Sequence, residues 1–259
     1  MRRTMLTFLI FAVLVYVGLC TALFFFQRSL IYFPQPRSAG TSASTISIRA
    51  GDHDVIVSTR AHAGPKALLY FGGNAEDVSA NLPELSRAFP EHALYLLHYR
   101  GYGGSGGTPS EAALFADALA LFDRIHAEHP DVVVIGRSLG SGVAVHLAST
   151  RPVGRLVLVT PYDSLAEIAA GRFPVFPVRW LLRDRFDSGT YAPKVSAPTL
   201  LIGAEHDEVV PVRSAELLAT RFRPGVARLV VLPGTGHNTV SDHPRYLSLL
   251  KGAAASAPG

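Results

Sequence analysis

"VVVIGRSLGSG", residues Val132 to Gly142, decides how this chain is read. A β-branched run stops at Gly136, offers one serine, Ser138, and returns to glycine at Gly140. The run reads as a buried strand, and the following "SLGSGVAVHLAS" reads as a helix. G-x-S-x-G between a strand and a helix is the pattern of a nucleophile elbow. Such a turn is too tight for side chains at the two glycines, and it holds the serine hydroxyl above the sheet in strained backbone geometry. The helix that follows aims its first amides at the same point, which favours developing negative charge. Taken alone, the pentapeptide is also an ordinary glycine-rich turn with an idle serine, so its partners decide.

A serine hydroxyl needs a base that accepts a proton near neutral pH. His146, His206, His237 and His243 follow it in the chain. His146 falls inside the helix after the elbow, pointing away, and His243 opens the last predicted helix beside Pro244. His237 stands in "LPGTGHNTV", a glycine-rich loop directly after the last strand-like run, and is the expected base. A third group must orient the imidazole and stabilise its cation. In "LLIGAEHDEVVP" the expected residue is Asp207, with Glu205 and Glu208 as close rivals and Asp163 as a positional alternative. For an oxyanion hole the backbone amides of Leu139 and of Asn74, in "FGGNAEDVS", are the expected donors. Gly72-Gly73-Asn74 also reads as a simple turn.

Strand-like runs lie at Ser44–Ala50, Val55–His62, Ala67–Phe71, Ala93–Tyr99, Val132–Gly136, Arg155–Thr160, Thr199–Gly203 and Ala227–Leu232. From the third onward most are separated by helix-length stretches such as Pro109 to His129, where Ser110 is placed to cap. This predicts an α/β fold with a mostly parallel central sheet covered by helices, the first two runs forming an antiparallel edge. Residues 161–195, rich in aromatics and prolines, interrupt the rhythm and read as a small helical cap. Its Phe173, Phe176 and Trp180 are either a substrate wall or ordinary core.

From Thr4 to Gln27 there is no charged residue. As a helix this stretch is about 35 Å long, enough for a hydrocarbon core of about 30 Å. The expected organisation is a transmembrane signal anchor over 1–28 and a catalytic α/β domain over 29–259; a cleaved export signal and a buried core helix are the rivals. Arg2 and Arg3 against Arg28 and Arg37 tip the positive-inside balance slightly toward a cytoplasmic N-terminus, with the catalytic body on the exported, periplasmic or extracellular side. The 259 residues carry a net charge of only +4 with scattered basic residues, which gives no nucleic-acid footprint. One cysteine, Cys20, excludes an intramolecular disulfide. No H-E-x-x-H occurs and the histidines lack ligand spacing, so no metal or other cofactor is expected. "RGYGGSGGTP" lacks the Gly-Lys-Ser/Thr of a P-loop.

Together, "QRSLIYFPQP", "LLYFGGNAEDVS", "YRGYGGSGGTPSE", "IGRSLGSG", "GAEHDEVVP" and "GTGHN" resemble the α/β-hydrolase superfamily, in particular its N-terminally anchored branch related to eukaryotic protein depalmitoylases. The likeness covers the chain beyond the anchor. It implies a serine hydrolase with the triad Ser138, Asp207 and His237, in the order Ser…Asp…His. Two departures stand out: Gly72-Gly73 where His-Gly is usual, and His98 where Asp usually precedes Tyr-Arg-Gly-Tyr-Gly. The expected activity is cleavage of carboxylic esters or thioesters, of small molecules, acyl lipids or an acylated protein. A peptidase or amidase on the same fold, and a non-catalytic membrane scaffold, are the rivals.

Overall fold

Short apolar runs and amphipathic stretches alternate along the chain and form strands and helices in that order. The structure, a computed structural model, describes residues 2–38 and 44–255; residue 1 of the expected anchor, residues 39–43 of the stretch after the apolar helix, and 256–259 lie outside them. Helix α1 (Arg2–Ile31) precedes β1 (Ser44–Ala50), β2 (His53–Arg60), β3 (Lys66–Phe71), α2 (Leu82–Ala88), β4 (Ala93–Leu97), α3 (Glu111–His126), β5 (Asp131–Arg137), α4 (Leu139–Thr150) and β6 (Arg155–Val159). Three short helices follow, α5 (Leu165–Arg172), α6 (Val178–Leu181) and α7 (Ser188–Tyr191). The chain closes with β7 (Thr199–Ala204), α8 (Val212–Arg221), β8 (Ala227–Leu232) and α9 (Tyr246–Ala255).

The eight strands form one sheet in the order β1-β2-β4-β3-β5-β6-β7-β8. β2 runs antiparallel to both its neighbours, and all pairings from β4 to β8 are parallel. This is the expected sheet with its antiparallel edge. The central β5 shows why its sequence is apolar throughout. Val132 and Val134 join the core beneath α3 and α4, whereas Val133 and Ile135 join the core on the opposite face with α2 and α9. Alternate side chains point to opposite faces, so a strand covered on both sides has no polar position. The Ser110 hydroxyl caps α3, accepting from the Ala113 amide at 3.2 Å.

One expectation moves. His243 lies three residues before α9, and its carbonyl accepts from the Tyr246 amide at 2.8 Å. Pro244 drives the residue before it out of helical geometry, and His243 adopts φ −67°, ψ 131°. Helix α1 ends at Ile31, and its C-terminal part is seated on the cap. Gln27 is buried there, its side chain donating to the Leu181 carbonyl and accepting from the Arg183 amide at 2.6 Å. Arg28 pairs with buried Asp184 at 3.0 Å, and Tyr32 donates its hydroxyl to the same carboxylate. Helix α1 is long and apolar enough to cross a membrane.

Candidate active site

The parallel strands end along one edge, and the loops beyond them collect the polar groups. Between β5 and α4, Ser138 has φ 49° and ψ −118°, a conformation that costs a non-glycine residue about 1–3 kcal/mol. The surroundings over-determine it. The Ser138 amide donates to the Val159 carbonyl at 2.9 Å. A Cβ on Gly136 would lie 2.4 Å from the Gly140 carbonyl oxygen, and one on Gly140 would lie 2.1 Å from that of Phe71. The glycines thus let α4 press against β5 and β3, and the chain can turn only at the serine. Leu139 opens α4, so its N–H belongs to the first turn, where no carbonyl four residues back is available.

His237, in the loop after β8, places Nε2 2.9 Å from Ser138 Oγ. Its Nδ1 lies 2.8 and 3.0 Å from the two Asp207 oxygens. The carboxylate side chain is 1% exposed and the imidazole 8%. Asp207 Oδ1 also accepts from the Val209 and Val210 amides, at 2.9 and 2.6 Å, contacts that hold the carboxylate independently of the histidine. A serine hydroxyl against one imidazole nitrogen, with a buried carboxylate on the other, is an arrangement able to move the serine proton.

The rivals have other partners. Glu208 accepts from the His237 amide at 3.3 Å and Glu205 from the Gly234 amide at 2.8 Å, so both brace the histidine loop. Asp163 pairs with Arg221 at 3.1 Å. His206 is exposed, and His146 stacks on Phe115 with ring centroids 3.9 Å apart. Burial pushes the His146 pKa down.

The loop after β3 is held by a network that sequence reading missed. Glu76 accepts from the Gly73 amide at 2.6 Å and the Tyr70 hydroxyl at 2.7 Å, and Arg137 of the elbow stands 3.7 Å from it. Asn74 is tied by its side chain to the Ile31 carbonyl at 2.9 Å, and its carbonyl accepts from the Tyr102 hydroxyl at 2.6 Å. Among the described residues the Asn74 backbone amide has no partner, and Asn74 borders the same cavity as Ser138 and Leu139. His98 is also accounted for: buried, its Nε2 meets the Ser58 hydroxyl at 2.8 Å. Its ring packs so closely on Gly103 that a Cβ there would lie 2.0 Å from it. Burial pushes its pKa down to about 4.

Ser138 opens into a cavity of about 450 Å³ whose walls are almost wholly apolar. One wall comes from the cap, including Ile168, Phe173, Phe176 and Leu181. Trp180 is a correction: it lies outside the cavity and is 89% exposed. In a helix, residues three apart share a face and residues two apart do not, so α6 turns Val178 and Leu181 inward and Trp180 outward. The opposite wall is unexpected. Leu19, Leu23, Gln27, Leu30 and Ile31 of α1 line the cavity at three- and four-residue spacing, a single helical face. Gln27 and Tyr16, polar side chains eleven residues apart in an apolar run, were the sequence signal for that face.

Residues 62–189 match the family described as alpha/beta hydrolase fold, and 182–245 match that described as TAP-like protein. An uncharacterized protein of Mycobacterium tuberculosis is 39% identical over 87% of this chain and 85% of its own length. Protein bem46 of Schizosaccharomyces pombe is 28% identical over 81% and 82%. Human alpha/beta hydrolase domain-containing protein 17B is 32% identical over 61% of this chain and 54% of its own. A Pyrococcus furiosus esterase superposes with a TM-score of 0.67 over 85% of this chain and 95% of its own, at 19% identity, a likeness of fold. With the eight-stranded sheet and the strand-to-helix serine turn, these likenesses converge: the chain belongs to the α/β-hydrolase superfamily.

Proposed function

We propose that this hydrolase is a membrane-anchored serine enzyme that cleaves carboxylic esters and thioesters of acyl chains through an acyl-enzyme. Ser138 Oγ attacks the acyl carbonyl while His237 Nε2 takes its proton, and Asp207 holds the imidazole and stabilises its cation. The amides of Leu139 and Asn74 receive the oxyanion, and α4 directs its positive end to the same place. His237 then gives its proton to the departing alcohol or thiol. Water enters, loses a proton to His237 and attacks the acyl-serine; the carboxylic acid leaves and Ser138 regains its hydrogen. The steps call on no metal or cofactor.

The observation that carries the reading is the 2.9 Å approach of His237 to a strained Ser138 at the mouth of an apolar cavity. The walls favour an acyl chain, since each buried methylene contributes about 0.8 kcal/mol. Helix α1 crosses the membrane and keeps the cavity beside the bilayer, with the body on the exported side if Arg2 and Arg3 stay cytoplasmic.

A panel of acyl thioesters, oxygen esters and aminoacyl amides tests this on the full chain in detergent. The expected result is turnover of the first two classes, lost in Ser138→Ala. Turnover of amides with none of esters makes the chain a peptidase or amidase instead, and turnover that survives Ser138→Ala removes the serine from the chemistry.

A further inference from the structure

The cap leans against the middle of the helix that is long enough to span a membrane, not against its end alone. Tyr16 donates its hydroxyl to the Val175 carbonyl at 2.8 Å and stacks on Phe176, with ring centroids 6.0 Å apart and planes 3° from parallel. Further along α1, Gln27 reaches the Leu181 carbonyl at 3.2 Å. Residues 16 and 27 are about 16 Å apart on a helix rising 1.5 Å per residue. Val175 therefore lies deep along the axis of α1, and Leu181 lies near its exit. A bilayer that covers Tyr16 also reaches the cap residues bonded to it.

The outward surface of the cap suits that depth. Val175 is 69% exposed and Trp180 89%, and neither lines the cavity. Trp180, next to Leu181, stands at the level where tryptophan favours the membrane–water boundary. Arg179 beside it is exposed and paired with Glu167 at 2.7 Å, so its charge also stays at the shallow end. Between α1 and the cap runs the cavity that leads to Ser138.

We propose that the cap is inserted in the bilayer beside α1, Val175 deeper than Trp180, and that the cavity draws its acyl chain sideways from the lipid between the two. The site thus acts on substrates whose acyl chains reside in the membrane, with α1 serving as both anchor and pocket wall. This rests on α1 crossing the membrane and on Ser138 being the nucleophile.

Trp180 is the single tryptophan of the chain and serves as a built-in reporter. Its fluorescence is read in phosphatidylcholine nanodiscs carrying lipids brominated at shallow or at deep chain positions. A second protein, Val175→Trp with Trp180→Phe, moves the reporter to the predicted depth. Quenching of Trp180 mainly by shallow bromines, and of the Val175 reporter mainly by deep ones, is expected. Quenching of both only by a water-soluble quencher, or the reverse depth order, overturns insertion. For the entry route, Val175→Asp should cut hydrolysis of a palmitoyl thioester dissolved in the disc by roughly tenfold or more, since a charge is costly within the bilayer. Hydrolysis of a water-soluble butyryl ester should stay within about twofold, because Val175 is outside the cavity wall. Equal loss of both activities, or loss of neither, overturns sideways entry. Fluorescence is read without catalysis, so a failure of the serine mechanism and a failure of insertion are told apart.

Discussion

Extending the acyl chain of the substrate one methylene at a time measures how far the cavity reaches. The pocket of about 450 Å³ begins at Ser138 and continues along the Leu30, Leu23 and Leu19 face of α1. Each methylene taken from water into such walls contributes about 0.8 kcal/mol, which at 25 °C is roughly a fourfold rise in kcat/KM. A series of thioesters from acetyl to stearoyl, assayed on the detergent-solubilised full chain below micelle-forming substrate concentrations, should climb at about that rate and then level off where the cavity ends. Leu23→Trp narrows the passage from the α1 side and should bring the plateau to shorter chains without abolishing fluorophosphonate labelling. A flat series from acetyl onward, or an unchanged plateau in Leu23→Trp, would refute α1 as the wall of the acyl site. The helical spacing of the lining residues would then reflect packing alone.

Acid should weaken the fold through His98. Its folded pKa of about 4 lies below the ordinary value near 6.5, so the unfolded chain binds the proton first. The stabilisation from neutral, buried His98 is complete above about pH 6.5 and is lost as the pH falls toward 4, a total of about 3 kcal/mol at 1.36 kcal/mol per pKa unit. Thermal melting at pH 7 and pH 5 should therefore show a smaller acid-induced drop for His98→Gln than for wild type; equal drops would remove His98 from the effect. At the elbow, Gly140→Ala puts a Cβ 2.1 Å from the Phe71 carbonyl oxygen, where only backbone stands to yield. Loss of serine labelling in a protein that still melts cooperatively is expected. Labelling at the wild-type rate would mean that the turn tolerates displacement and does not depend on that contact.

Much of the fold was legible because the signals are local. The β5 run alternates its valines between two cores, and the glycines at 136 and 140 answer to contacts within one turn. Ser138 and His237 meet, as their places after two strands suggested, because strand ends in a parallel sheet gather at one edge. Asp207 could not be separated from Glu205 and Glu208 by spacing. What separates them is which carboxylate the Val209 and Val210 amides capture, a property of one turn's geometry. The wall supplied by α1 was hidden for another reason. Tyr16 and Gln27 mark one face of α1, but their partners, such as Val175, 159 residues from Tyr16, are named by nothing in either segment. Trp180 was misplaced because an aromatic-rich stretch does not reveal which face of a four-residue helix turns inward. The Glu76 brace was missed because a carboxylate in a glycine turn carries no pattern until its donors are known.

The activated serine itself is probed by fluorophosphonate labelling of the full chain in detergent, comparing wild type with Ser138→Ala and His237→Ala, each shown to be folded. The proposed mechanism predicts rapid labelling of wild type, none at position 138 in Ser138→Ala, and loss by a factor of about 10³ or more in His237→Ala. Unlabelled but folded wild type, or labelling that persists without His237, would contradict it: the 2.9 Å contact would then be an idle hydrogen bond in a hydrolase fold.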